Sequence, residues 1–272
     1  MGQSFSASAQ GMLRRIIRFL LPVECARCGT ELTADPIPHF CAACWRTLVS
    51  PPLTRCPRCD RPFVSPAAIA YSPNHVCQAC AERPPSYTRA WTLYPYLPPL
   101  QDAICLFKYR GKVALASPLA RLMISRLPAL GVVDLVMPVP LHPRRLRERE
   151  FNQALLLADR IARHLVVPLS YDNLVRTTPS PAQTTLTRKE RLKNLRGAFA
   201  ARQPDTIAGK RILLIDDVFT TGATVNECAK TLRKAGSGDV FIVTLGRTMD
   251  AGTVPDRLLA QWAAPAPGLT GI

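Results

Sequence analysis

Short apolar runs alternate with longer segments of three- and four-residue apolar spacing over most of the chain after residue 89. The short runs predict buried strands at 90–96, 135–139, 211–215 and 239–245. The longer segments predict helices at 100–109, at 114–127, from Asn152 onward and at 224–235. Apolar strands that alternate with helices are typical of an α/β domain, in which a parallel sheet is flanked by helices.

The strand predicted at 211–215 is followed at once by two acids, Asp216 and Asp217, and then by a Thr- and Gly-rich stretch that leads into a helix. Such a loop can direct backbone N–H groups and hydroxyls at a phosphate, and the positive end of the helix strengthens the attraction. Two carboxylates would repel that phosphate unless they bind neutral hydroxyls or a divalent metal. A ribose 5-phosphate offers both hydroxyls and a phosphate, whereas the alternative is a plain turn between a core strand and a core helix.

This stretch resembles the phosphoribosyl-pyrophosphate (PRPP) loop of type I phosphoribosyltransferases. The resemblance implies that Asp216 and Asp217 hold the ribose hydroxyls at the catalytic centre. It also implies that the 5′-phosphate is bound by the next residues, Val218, Phe219, Thr220, Thr221, Gly222, Ala223 and Thr224.

Two basic clusters follow other predicted elements. Arg144 and Arg145 belong to an Arg-rich stretch after the strand at 135–139, where open α/β sheets place their ligands. Lys108 lies in a basic cluster that ends the helix at 100–109, and two interpretations of it remain open. It is either a solvated helix end or a group that helps to hold a pyrophosphate.

Eight of the ten cysteines form four C-x-x-C pairs: Cys25, Cys28, Cys41, Cys44, Cys56, Cys59, Cys77 and Cys80. Gaps of twelve and seventeen residues within successive quartets are close to zinc-ribbon spacing. Four thiolates close the shell of tetrahedral Zn²⁺, so we expect two structural zinc sites paired in sequence order. Disulfides, a redox pair and an iron–sulfur cluster fit the pattern less well. His39 and His75, each two residues before a knuckle, either substitute as ligands or lie beside the site or in solvent, and the second interpretation is favoured.

Composition sets outer limits on this picture. The chain has 272 residues, 47% of them hydrophobic, and a formal net charge of +16, which favours polyphosphate, nucleic acid or an anionic surface as a partner. An Arg-rich composition without functional meaning is the alternative. No apolar run is long enough to span a bilayer, and no export signal precedes the cysteines, so a cytoplasmic location is expected.

The boundaries predicted from these features divide the chain into four parts. They are an amphipathic helix at 1–21, a double zinc ribbon at 22–88, a phosphoribosyltransferase-like domain at 89–247 and a disordered tail at 248–272. The basic segment between Thr177 and Arg196 has two open interpretations, a mobile segment that closes over pyrophosphate or a solvated basic helix.

The order of motifs over about 20–247 resembles the ComF family, which is associated with DNA uptake in competent bacteria. In this order a double zinc ribbon is followed by the Arg-rich stretch with Phe151-Asn152-Gln153, and then by the acidic pair and its loop. Glu150 departs from the family pattern, which has glycine there. If that position needs a positive φ, the turn is strained or remodelled.

Two functional hypotheses remain open at this stage. In the first, the protein is a phosphoribosyltransferase in which Mg²⁺ bridges ribose and pyrophosphate, while Arg144, Arg145 and Lys108 stabilise the leaving group. Its acceptor is not specified by any residue pattern. In the second, the protein is a non-catalytic adaptor that senses PRPP or a nucleotide, or that binds single-stranded DNA and DNA-uptake proteins.

Overall fold

The computed structural model describes residues 23–32, 35, 37–48, 53–63, 72, 74–178 and 195–249. The amphipathic helix predicted at 1–21 lies outside these ranges. So do most of the basic segment, at 179–194, and most of the predicted tail, at 250–272. Among the described helices, none has the length and apolar content needed to cross a membrane.

The described part of the chain contains six strands. They are β1 (Arg89–Pro95), β2 (Leu135–Pro138), β3 (Leu174–Arg176), β4 (Phe199–Ala201), β5 (Ile212–Phe219) and β6 (Val240–Arg247). Four of them form one sheet in the order β1-β6-β5-β2, with every neighbouring pair parallel. The remaining two, β3 and β4, pair antiparallel in a separate hairpin. The parallel sheet expected from the apolar pattern is therefore confirmed.

Seven α-helices are described. They are α1 (Ala42–Arg46), α2 (Gln78–Glu82), α3 (Leu100–Tyr109), α4 (Ala116–Ser125), α5 (Pro143–Arg149), α6 (Gln153–Leu165) and α7 (Ala223–Lys234). The helix predicted at 100–109 has the observed bounds of α3. The helix predicted at 114–127 is shorter, because a 3₁₀ turn at Val113–Leu115 precedes α4.

The two central strands are buried on both faces, and successive side chains enter different apolar clusters. Leu213 and Ile215 pack with residues of α3, α4 and α6, whereas Ile212 and Leu214 pack with residues of α7. This alternation follows from the two-residue period of a strand. Each fully buried aliphatic side chain contributes roughly 1.5–3 kcal/mol of hydrophobic free energy. The acids of β5 therefore follow directly on strand residues that are buried on both faces of the sheet.

The prediction that the central strand ends at Ile215 is wrong, because β5 continues to Phe219. The reason is tertiary. Strand β6 extends beside it, so that Asp216 lies opposite Thr244 and Phe219 lies opposite Arg247. An apolar run in the sequence stops at the first charged residue, but a strand continues as long as its neighbour offers backbone partners.

Candidate functional site

The carboxyl ends of the parallel strands meet at one edge of the sheet, and the acids of β5 lie there. Asp217 is 5% exposed, and its Oδ1 lies 2.7 Å from Nζ of Lys108 at the end of α3. This ion pair places Lys108, in the last turn of α3, beside the acids of β5. A buried carboxylate needs such a partner, because an isolated charge is strongly disfavoured away from water.

The acidic pair has an unusual protonation balance. Burial raises the pKa of Asp216 to about 7, and the neighbouring charge of Asp217 adds to the effect. Burial also works to lower the pKa of Lys108, but the charges of Asp217 and Asp216 outweigh it and raise that pKa. The backbone N–H of Asp217 donates to Oδ1 of Asp216 at 2.9 Å. The cluster therefore holds one firm ion pair and one carboxyl that titrates near neutral pH.

The loop after β5 is short and leads directly into α7. Thr220 and Thr221 are exposed, and Gly222 adopts a φ of +75° at the start of the helix. Oγ1 of Thr221 accepts a hydrogen bond from the N–H of Ala223 at 3.3 Å. The first N–H groups of a helix have no partner within it, so the start of α7 can donate to an anion.

Not all of the predicted phosphate-binding residues lie in this loop. Val218 and Phe219 belong to β5, and the Phe219 ring is buried beneath Gly222. Ala223 and Thr224 form the first turn of α7. Residues 220–224 thus form the loop and the start of the helix. Val218 and Phe219 separate them from the acids.

Arg144 and Arg145 lie on α5, after the carboxyl end of β2 as predicted. Both contact Glu148 of the same helix, at 3.1 Å from Nε of Arg144 and 3.4 Å from Nη1 of Arg145. His142 caps the helix, and its Nδ1 accepts from the N–H of Arg144. Within the described ranges, neither arginine forms an ion pair or a hydrogen bond with the acids of β5. Their charges are nevertheless held at the same edge of the sheet as the acids.

The turn after α5 explains the departure at Glu150. This residue ends the helix with a φ of +64° and a ψ of −10°, a left-handed conformation that glycine adopts without strain. Its N–H donates to the carbonyl of Leu146 at 2.7 Å. Asn152 then begins α6, with its side chain accepting from the N–H of Ala154. Position 150 therefore does adopt a positive φ, and Glu150 takes this strained conformation.

The eight knuckle cysteines form two groups of four in sequence order. Cys25, Cys28, Cys41 and Cys44 form the first thiol group, and Cys56, Cys59, Cys77 and Cys80 form the second thiol group. Within each group the sulfur atoms all lie within 4.8 Å of one another. His39 and His75 belong to neither group.

The thiol spacing fits a tetrahedral metal site. The Sγ atoms of Cys28 and Cys41 are 3.7 Å apart, and those of Cys59 and Cys77 are 3.6 Å apart. Tetrahedral Zn²⁺ with Zn–S bonds of about 2.3 Å requires sulfur atoms about 3.8 Å apart. Backbone N–H groups also point at the sulfurs, as in the 3.3 Å contact from Cys77 to Cys56. Each group could therefore hold one metal ion.

A buried acid, Asp60, connects the second thiol group to the sheet, and sequence analysis did not identify it. Asp60 is 8% exposed and accepts from the backbone N–H and the hydroxyl of Thr92 in β1, at 2.8 and 2.6 Å. Arg55 pairs with the same carboxylate at 3.1 Å. Nothing in the sequence predicts this contact, because Asp60 and Thr92 are 32 positions apart.

An aromatic group at the carboxyl edge was also missed. Tyr109 follows Lys108 and is 64% exposed, and the guanidinium of Arg149 lies 4.9 Å from its ring centre. The hydroxyl of Tyr96 lies 3.5 Å from the sulfur of Cys105. The only hint in the sequence is that α3 and α5 each follow a strand that ends at this edge.

Comparison with known proteins places these features in context. The family described as "Phosphoribosyl transferase domain" matches residues 152–257. "DNA utilization protein YhgH" of Escherichia coli (strain K12) is 33% identical over 216 residues, which cover 77% of this chain and 91% of that protein. "Competence protein F" of Haemophilus influenzae is 31% identical over 215 residues, which cover 76% and 90%. Among solved structures, an adenine phosphoribosyltransferase from Thermoanaerobacter pseudethanolicus is 16% identical with a TM-score of 0.34, covering 51% of this chain and 83% of that one.

Proposed function

The chain belongs to the ComF family and carries a phosphoribosyltransferase-like domain, and on that premise we propose that it binds PRPP at the carboxyl edge of the sheet. The observation that carries the proposal is the buried pair of Asp217 and Lys108 directly before the loop at 220–222. Asp217 can accept a hydrogen bond from a sugar hydroxyl, and the loop can donate hydrogen bonds to a phosphate. Both belong to one connection between a strand and a helix.

The acids are proposed to bind the ribose. Asp216, with a pKa raised to about 7, is poised to accept hydrogen bonds from neutral hydroxyls, which do not repel it as a phosphate would. Asp217, whose Oδ1 is paired with Lys108, accepts the second hydroxyl. A diol is thereby distinguished from a deoxyribose, since a missing hydroxyl removes one of these hydrogen bonds to a carboxylate.

The loop is proposed to bind the 5′-phosphate. The Thr220 and Thr221 hydroxyls are exposed, and the N–H groups at the start of α7 carry partial positive charge. The Phe219 ring packs against Gly222 of the loop. Because Phe219 ends β5, the loop before α7 is only a few residues long. Val218, Ala223 and Thr224 complete the connection.

The pyrophosphate would lie toward α3 and α5. Lys108, Arg144 and Arg145 are the cations that those elements bring to this edge, and Lys108 would share its charge between Asp217 and the ligand. Carboxylates and phosphates are the ligands that Mg²⁺ prefers, and a bound Mg²⁺ would neutralise charge on the pyrophosphate. In a transfer reaction these cations would stabilise the leaving group, whose negative charge grows in the transition state.

The two thiol groups are proposed to hold structural Zn²⁺, one ion each. Four thiolates leave no open coordination position for catalysis. Residues 22–88 would then form a double ribbon that depends on metal for its folding, and residues 89–247 would form the domain that binds the phosphoribosyl group.

The test is a titration of zinc-loaded protein with Mg²⁺-PRPP by calorimetry, with pyrophosphate release measured in parallel across a panel of nucleobases. Binding with base-dependent release would establish a transferase and identify its acceptor. Binding without release would favour a PRPP-binding adaptor. Absence of binding, with two zinc ions present and the fold intact, would overturn the proposal.

The matched variant carries Asp216→Asn and Asp217→Asn. It keeps the size of both side chains but removes the charges, so PRPP affinity should fall by at least about tenfold. Asp172→Asn/Asp205→Asn is the control, because both acids are exposed and neither belongs to β5 or to the loop after it.

A DNA-binding role is the second candidate. It is favoured by the names of the relatives, "DNA utilization protein" and "Competence protein F", together with the net charge of +16. Contacts with phosphates release counterions, so the affinity for single-stranded DNA should fall steeply with salt. Weak binding that does not change with salt would count against it.

A further inference from the structure

We infer that the cleft between α7 and the segment after the second thiol group is a second anion site, built for a phosphate monoester. The cleft has a volume of about 330 Å³ and is lined by Arg83, Arg196 and Lys230. Arg83 follows α2, and Arg196 precedes β4, so two different parts of the chain bring their charges to one face of α7. Ala223 also lines the cleft, so the site adjoins the loop at 220–222, but the acids of β5 are not part of its lining.

The charges in the cleft are not balanced by the protein. Glu227 is the one acid in its lining, so three cations leave two net positive charges. Among the described residues, no side chain forms a hydrogen bond or an ion pair with Arg83 or Arg196. Cations that face the same cleft repel one another, and a bound anion removes that repulsion.

The polar groups of the cleft are already oriented. Oδ1 of Asn226 accepts the N–H of Ser86 at 2.7 Å, which leaves the amide nitrogen of Asn226 as a donor. Oε1 of Glu227 accepts the N–H of Gly197 at 2.9 Å, and its Oε2 lies 3.9 Å from Nζ of Lys230. Glu227 thus binds the chain beside Arg196 and contacts Lys230 at the same time.

The number of donors and the net charge select the ligand class. A phosphate monoester carries close to two negative charges and three acceptor oxygens, which match two guanidinium groups, an ammonium and an amide. A carboxylate carries only one charge, and so does an internal phosphodiester, so either would leave one cation uncompensated. The volume suits a phosphate with an attached sugar, since small-ligand sites begin at about 300 Å³.

Two sources can supply this group, namely a free nucleotide or sugar phosphate and the 5′-phosphate end of a nucleic acid chain. Arginine modification by phenylglyoxal, followed by peptide mass spectrometry on the zinc-loaded protein, locates the bound group. The probes are ribose 5-phosphate, a 5′-phosphorylated dinucleotide and the same dinucleotide with a 5′-hydroxyl.

We expect both phosphorylated probes to slow the modification of Arg83 and Arg196 by about fivefold or more, and the 5′-hydroxyl dinucleotide to leave it unchanged. Arg121 and Arg163 are exposed on α4 and α6 and should be modified at the same rate throughout. Protection by the dinucleotide alone would assign the site to nucleic acid ends, and protection by ribose 5-phosphate alone would assign it to small metabolites. Equal protection by the 5′-hydroxyl dinucleotide, or protection of neither arginine, would overturn the inference.

Variants separate this site from the proposed PRPP site. Arg83→Gln/Arg196→Gln should lower phosphate affinity about tenfold or more, whereas the charge-matched control Arg121→Gln/Arg163→Gln should not. Arg196→Lys retains the charge and checks that any loss does not reflect unfolding. In the Asp216→Asn/Asp217→Asn protein, protection of Arg83 and Arg196 should persist even when PRPP binding is lost.

Discussion

The guanidinium of Arg247 lies 4.6 Å from the centre of the Phe219 ring and joins the last residue of β6 to the last residue of β5. Arg247 is 7% exposed, and its Nη1 donates to the carbonyl of Cys59 at 2.8 Å. The Phe219 ring in turn packs beneath Gly222. A continuous set of contacts therefore connects the second thiol group with the loop that starts α7.

Replacement of Arg247 by glutamine should destabilise the protein and loosen the loop. It leaves the carbonyl of Cys59 without its charged donor, a loss of about 1.5–3 kcal/mol. Urea unfolding would measure the stability, and hydrogen exchange of residues 219–226 would measure the loop. The exposed Arg202→Gln is the control, and equal exchange rates in the two variants would contradict the connection.

Replacement of Gly222 by alanine should weaken PRPP binding and lower stability by about 1–2 kcal/mol or more. Its φ is +75°, and an added Cβ would lie 2.8 Å from Cε1 of Phe219 and closer still to Cζ. Gly131→Ala is a matched control, because Gly131 has a φ of +66° but no atom within 4 Å of its Cβ position. Calorimetry with Mg²⁺-PRPP should find normal affinity in the control, and an equal loss in both proteins would attribute the effect to backbone strain alone.

The raised pKa of Asp216 predicts a fall in stability as pH rises. In the unfolded chain this carboxyl loses its proton near 3.8, whereas in the folded protein it does so at about 7. Between these values the folded state binds the extra proton, so the free energy of unfolding declines with increasing pH, on the order of a few kcal/mol. Urea unfolding from pH 4.5 to 7.5 should show this component in the original protein and not in Asp216→Asn. Parallel pH profiles would disprove the shift.

Zinc content should separate the two thiol groups. We expect about two zinc ions per chain, and one ion in either Cys25→Ser/Cys28→Ser or Cys77→Ser/Cys80→Ser. Removing the ion from the second group should also speed hydrogen exchange at residues 219–226, because Cys59 contacts Arg247. Removing it from the first group should leave that exchange unchanged, since its cysteines pack in the other apolar cluster. A single ion shared by all eight cysteines would contradict the grouping.

Features governed by local geometry were predictable from the sequence. The bounds of α3 follow from its apolar spacing, and the grouping of the cysteines follows from the C-x-x-C turns, which direct two thiols to one point. The cap at Asn152 and the left-handed turn at Glu150 also depend on neighbours in the chain. Such interactions need only a few residues, so the sequence pattern contains them.

The remaining features required the folded chain. The continuation of β5 through Asp216 depends on β6 lying beside it, and the ion pair of Asp217 depends on Lys108, which helix α3 supplies. Ser86 meets Asn226 across 140 positions, and Arg247 meets Cys59 across 188. The residue types along the chain determined the fold class and the chemistry available at the candidate site. Only the packing of the sheet decided which charges meet, because such contacts join segments whose separation leaves no periodic trace in the sequence.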